Sequence, residues 1–226
     1  TYSGADVSNY SITNHSTITA DVAVKTLTAT ASAANKTYDG TTTATTTLTF
    51  TGLVGSETLG QTVGSTFDNK NVGTGKSVTV NSITLANGSN GGLAANYSIS
   101  VGQTTTANVT AKALTVSGIT ASNKIYDSNT TATLNTGSVS YTGLVGGDVF
   151  NGTYTGAFSD KNVGTNKTVT ITPSYTGADV SNYSITNQNT TIADITAKAL
   201  TVSGITSANK TYDGNAVATL NTSSVL

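Results

Sequence analysis

Proton transfer, nucleophilic attack and metal ligation draw on imidazoles, carboxylates, thiols and amines, and this chain is thinly supplied with all of them. Its 226 residues hold one histidine, eleven carboxylates, ten lysines, no arginine and no cysteine. The histidine is His15, in Asn14-His15-Ser16, and the matching position further along the chain is Gln188. A triad or metal site that needed the imidazole would therefore occur once at most, and His15 is read as a loop residue. The carboxylates show no Asp-x-Asp-x-Asp or Gly-Gly-x-Gly-x-Asp spacing, which leaves Asp39, Asp127, Asp148 and Asp213 as contributors to a weak calcium site at best. Lys36, Lys124 and Lys210 each precede a tyrosine by two residues, which on an alternating strand places both on one face. A lysine stem packed along the ring is the expected outcome. The sharper alternative is an isopeptide cross-link from lysine to asparagine, with Lys36, Lys70, Lys124 and Lys161 as donors; since no glutamate recurs beside them, the full sequence mass is expected. No catalytic residue and no cofactor is expected.

The elements that must position these groups recur. Asn-Tyr-Ser-Ile places Tyr10, Tyr97 and Tyr183 at spacings of 87 and 86. Lys-(Ala/Thr)-Leu-Thr begins at Lys25, Lys112 and Lys198 with the same two spacings. Lys-x-Tyr-Asp supplies Tyr38, Asp39 and Gly40, then Tyr126 and Asp127, then Tyr212, Asp213 and Gly214. Gly-Leu-Val-Gly at Gly52 and Gly143, and Lys-Asn-Val-Gly-Thr at Lys70 and Lys161, are each 91 apart. The chain is a tandem array. With the lysine marker as boundary, 1-24 is the C-terminal part of a preceding repeat, 25-111 and 112-197 are complete repeats, and 198-226 is the N-terminal part of a following one. Both ends fall inside a repeat, so a longer parent array is expected.

Aligned repeats discriminate among the carboxylates. Asp39 matches Asp127 and Glu57 matches Asp148, whereas Asp68 meets Ser159 and Asp160 meets Asn69. A carboxylate that moves along the chain is a poor general base or ligand. The Tyr-Asp-Gly triplet is best explained by structure: a tyrosine that buries its ring, an aspartate that caps the following turn, and a glycine at positive φ.

The local pattern predicts strand after strand. Val169 and Ile171 alternate with threonines from Thr168 to Thr172, and Leu200, Val202 and Ile205 nearly alternate in the last segment. Asp39-Gly40, Asn87-Gly88, Asn151-Gly152 and Asp213-Gly214 are turn signals. The nearest approaches to helix are single turns, Leu53 to Leu59 with its counterpart after Leu144, and Asp179 to Tyr183. The fold class is all-β, a tandem array of small β-grasp-like or sandwich-like domains joined end to end into a rod. The junctions Ala107 to Val116 and Asp194 to Val202 contain neither glycine nor proline, which predicts one strand serving both neighbours.

Taken together, Lys-x-Tyr-Asp-Gly, Gly-Leu-Val-Gly-(Asp/Glu), Lys-Asn-Val-Gly-Thr, Asn-Tyr-Ser-Ile and Lys-Ala-Leu-Thr-Val resemble the YDG repeat, close to the MBG repeats, of large bacterial surface proteins such as filamentous-haemagglutinin-like adhesins. The sequence departs from that pattern at Asp127-Ser128-Asn129, where serine replaces the glycine. The resemblance implies an extracellular stalk at the bacterial cell surface, or a fibre within a biofilm matrix, with no catalytic residues. Its partners would be neighbouring repeats of the same chain, and host or matrix glycans or proteins bound through regions outside this segment. The alternative is that the repeats themselves bind a glycan or protein.

Composition agrees with a spacer more than with a binder. A net charge of -1 gives no electrostatic footprint for nucleic acid, and no apolar run is long enough to insert into a membrane. Tryptophan, the aromatic most useful to a glycan site, is absent.

Overall fold

A computed structural model describes residues 1–14 and 17–225; His15 lies outside the described residues. The chain forms two compact units, one of residues 1–36 and 41–110, the other of residues 37–40 and 111–226. Both are almost wholly β.

In the second unit the longest strand, Gly164–Thr176, forms where threonine alternates with valine and isoleucine. Period-2 alternation turns one face inward: Val169 and Ile171 are buried while Thr168, Thr170 and Thr172 are exposed. Asn151–Phe158 pairs antiparallel with it, bringing Phe158 opposite Val169 and Gly156 opposite Ile171. Thr131–Ala132 extends the sheet beyond Asn151–Phe158. On the other side Thr190–Thr196 pairs antiparallel with Gly164–Thr176, and Lys124–Ile125 joins it in parallel. A smaller sheet has Lys112–Ser117 at its centre, antiparallel to Ser140–Thr142 and parallel to Tyr183–Thr186. The core of this unit includes two apolar clusters. One is Ala132, Phe158, Val169, Ala193 and Ile195; the other is Val116, Ile119 and Ile171, ringed by half-buried tyrosines.

The first unit repeats the plan. Leu59–Phe67 and Gly73–Asn87 form the long hairpin, with an irregularity in register between Gly64 and Ser65. Thr43–Ala44 and Thr104–Thr110 flank it. Lys25–Thr26 lies parallel to Tyr97–Ser98, the counterpart of the parallel pair in the second unit. Phe67, Val78, Val80 and Val109 are the buried residues that match Phe158, Val169, Ile171 and Ile195.

The migrating carboxylate has a simple geometric account. Lys76 pairs with Asp68 at 2.8 Å and donates to Asn69 Oδ1 at 2.6 Å, while Lys167 pairs with Asp160 at 2.7 Å. Each half-buried lysine needs oxygens in the loop that closes its hairpin. Either neighbouring position can supply the carboxylate.

The single turns occur as short 3-10 turns at Val7–Asn9, Ala94–Asn96 and Val180–Asn182, each just before the tyrosine of Asn-Tyr-Ser-Ile. The segments 53–59 and 144–148 close through Glu57 N–H to Val54 O and Asp148 N–H to Val145 O, at 3.1 and 3.2 Å.

Two expectations change. The junction is two strands: Thr104–Thr110 pairs in the first unit and Lys112–Ser117 in the second, with Ala111 alone between them. A backbone has one row of donors and acceptors on each edge, and here each segment gives its rows to its own sheet. At the second junction Thr190–Thr196 is a strand, but Leu200 and Val202 are unpaired and exposed. The strand Lys112–Ser117 is held by Tyr183–Thr186 and Ser140–Thr142; among the described residues 198–203 have no such partners.

Candidate functional site

Three lysines organise the Tyr-Asp turns by the same device. Lys124 Nζ reaches into its turn and donates to Asp127 Oδ1 at 2.7 Å and to the carbonyls of Asn129 and Thr131 at 2.8 and 3.1 Å. Lys210 Nζ does likewise with Asp213 Oδ1 and Asn215 O, at 2.7 and 2.9 Å. Lys36 Nζ takes Thr41 O at 2.8 Å and Thr43 O at 3.0 Å. Asp127 and Asp213 also accept the N–H of the residue two further on, which is the cap expected of an aspartate in a turn. The adjacent ammonium holds both carboxyls below the usual range. The lysine thus caps carbonyls, and Lys36 and Lys124 lie over Phe67 and Phe158 at 5.6 and 5.5 Å. Position 41, 129 or 215 is threonine once and asparagine twice, and each time its side-chain oxygen accepts from the lysine, as a cap requires. Where glycine is replaced, Ser128 adopts φ 67° itself, against 79° and 81° at Gly40 and Gly214.

The three tyrosines differ in their surroundings. Tyr38, in the second unit, is 1% exposed; Tyr126 is half-buried against the Phe158 cluster; Tyr212 is 92% exposed. Tyr38 enters a socket. Its hydroxyl donates to Asp148, 2.8 Å from Oδ2 and 3.0 Å from Oδ1, and its ring meets that of Tyr183 edge-on at 5.6 Å. Tyr183 donates its own hydroxyl to Asp148 Oδ2 at 2.6 Å and accepts the Val145 N–H at 2.9 Å. One carboxylate therefore binds two phenols, within the acceptor capacity of its two oxygens. Burial, reinforced by the Asp148 carboxylate, pushes the Tyr183 hydroxyl up to about 12. Asp179, also buried, accepts the Val149 N–H at 2.9 Å beside it. Gly40 follows at φ 79°, where a Cβ would stand 2.8 Å from Val145 Cγ1.

The first unit carries the matching parts. Tyr97 donates to Glu57 and accepts the Val54 N–H at 3.0 Å, so Glu57 stands for Asp148 and Val54 for Val145. The hydrogen bond to Glu57 raises the Tyr97 hydroxyl above its ordinary value. Tyr97 is buried, but Tyr10, the third member of that marker, is 72% exposed.

The carboxylates considered for calcium are dispersed by this arrangement. Asp127 and Asp213 face lysines, Asp148 faces phenols, and Asp39 sits exposed in the turn after Tyr38. Among the described residues no group of three or more metal-ligating side chains stands together. The sequence paired Glu57 with Asp148 without showing what they accept, and it marked Asp179 only as the start of a single turn. The signal available was their fixed place after Gly-Leu-Val-Gly, three residues from a valine whose N–H joins the same network.

Comparison with known protein families finds a match. The YDG domain matches residues 23–107 and again residues 110–191. No curated protein and no solved structure matches the chain.

Proposed function

Since the chain belongs to the YDG-domain family through two tandem copies, we propose that it is a length of the spacer in a large bacterial surface or secreted adhesin, a non-enzymatic stalk outside the cell. The observation that carries this reading is the passage from Thr104–Thr110 to Lys112–Ser117 across Ala111 alone. A tether meant to let domains swing freely is rich in glycine and serine; a single alanine between two hydrogen-bonded strands leaves few free dihedrals. The parts that recur support the same reading, because they are structural: lysines that cap turns, tyrosines that fix sheet ends, and long hairpins. In such a stalk the partners of each repeat are its neighbours, and adhesion belongs to other regions of the parent.

Small-angle scattering of the chain, compared with a variant carrying two extra glycines after Ala111, tests the proposal. A spacer gives a profile that the insertion visibly loosens. A parent profile already that of independently tumbling domains, unchanged by the insertion, would overturn it.

A further inference from the structure

The second unit shows a filled socket and the first shows the same socket open. At Asp148 two phenols converge, Tyr183 from the unit's own sheet and Tyr38 from a Lys-x-Tyr-Asp-Gly turn. At Glu57 only one phenol arrives among the described residues, that of Tyr97. Beside it lies a pocket of ≈ 280 Å³ lined by Val22, Val24, Lys25, Val54, Glu57 and Tyr97, among others. Ligand pockets usually run from roughly 300 to 1,000 Å³, so this space suits one aromatic side chain better than a larger ligand. Its walls are the counterparts of what holds Tyr38: a carboxylate, the ring of the Asn-Tyr-Ser-Ile tyrosine, and the valine against which Gly40 packs.

The chain also displays a free key. Tyr212 is 92% exposed, and its turn is already shaped by Lys210, Asp213 and Asn215. Gly214 takes φ 81°, matching the 79° of Gly40, so a turn brought to Val54 would meet it without a Cβ. The Tyr126 turn is the poorer key, being half-buried and carrying Ser128 where the close approach to valine requires glycine.

We propose that the pocket at Glu57 and Tyr97 is a docking site for the tyrosine of a Lys-x-Tyr-Asp-Gly turn, and that in solution of this chain its occupant is the Tyr212 turn of a second copy. The inserted hydroxyl donates to Glu57 alongside that of Tyr97, and the ring packs edge-on against Tyr97. Because key and socket are different surfaces of one molecule, the contact is heterologous and joins copies head to tail. The inference rests on residues rather than on the stalk reading and stands if that reading fails.

The test is association of the full chain followed by sedimentation, together with amide NMR shifts of Val54, Glu57 and Tyr97 over a concentration series up to millimolar. Head-to-tail association with shifts confined to the pocket and the Tyr212 turn is expected. Tyr212→Ala, at an exposed position, should weaken it at least about tenfold, as loss of a buried aromatic anchor does. Glu57→Ala should weaken it to a similar extent, with the concentration dependence of the Tyr212 signals moved to correspondingly higher concentration. Spectra independent of concentration, or association that survives Tyr212→Ala, would overturn the proposal, the second result showing that another surface is responsible.

Discussion

Tyr38 and Tyr183 share one acceptor: their rings meet edge-on at 5.6 Å and both hydroxyls end on the carboxylate of Asp148. A carboxylate drawn partly out of water is costly unless its lone pairs are used, and at half-buried Asp148 two phenols use them. The anion in turn fixes where both tyrosines end. Loss of either partner should therefore be felt by the other.

Tyr38→Phe should destabilise the second unit by about 1.5 kcal/mol, the low end for a hydrogen bond to a charged group, because Asp148 keeps Tyr183. Tyr38→Ala also empties the socket and should cost about 3–5 kcal/mol. Denaturant unfolding checks the order; equal effects would mean that the ring contributes nothing beyond its hydroxyl.

Gly40→Ala should cost more than Gly75→Ala. Both glycines have positive φ, 79° and 60°, so both substitutions carry the left-handed penalty of about 1–2 kcal/mol. Only at position 40 does the new Cβ meet another side chain, Val145, while nothing stands within 4 Å at position 75. Midpoints from the same unfolding assay separate strain from contact.

The Tyr183 hydroxyl, raised from 10.0 to about 12 by burial and by Asp148, makes stability fall in alkali. The native state holds the proton where the unfolded chain has lost it. This contribution is complete below pH 10 and disappears as the pH climbs through 12, a loss of roughly 2–3 kcal/mol. Asp148→Asn removes the smaller cause and leaves burial, so its decline should be smaller in total and finish at lower pH. Unfolding free energy measured from pH 9 to 12 would show it, and a flat profile would contradict the socket.

At the acid end, Asp127 and Asp213 should titrate below 3.8 because Lys124 and Lys210 donate to them. The sign is opposite: their contribution is present above 3.8 and fades as the pH falls through the lowered value. Lys124→Met should return Asp127 toward its ordinary midpoint and leave Asp213 unchanged. Side-chain carboxyl NMR titration reads both.

The tandem organisation, the all-β class and the turn chemistry were legible in the sequence because each depends on residues close together in the chain. The short turn Val7–Asn9 forms ahead of Tyr10 although Tyr10 is exposed, just as Val180–Asn182 forms ahead of buried Tyr183. Lys210 closes its turn around Asp213 although Tyr212 is bare. Bonds between residues two to five apart close little loop entropy and need no partner sheet. What only the tertiary structure decided is which copies of a marker are buried and what they touch. Tyr38, Tyr126 and Tyr212 share their local sequence, yet one is enclosed, one half-buried and one open. Burial of the Tyr38 ring depends on a carboxylate, a second ring and a valine brought from positions up to 145 residues away along the chain, Asp148, Tyr183 and Val145. The same holds for the junction, where apolar alternation runs on without a break but hydrogen bonds are made strand by strand, so Thr104–Thr110 and Lys112–Ser117 are divided by the sheets that claim them.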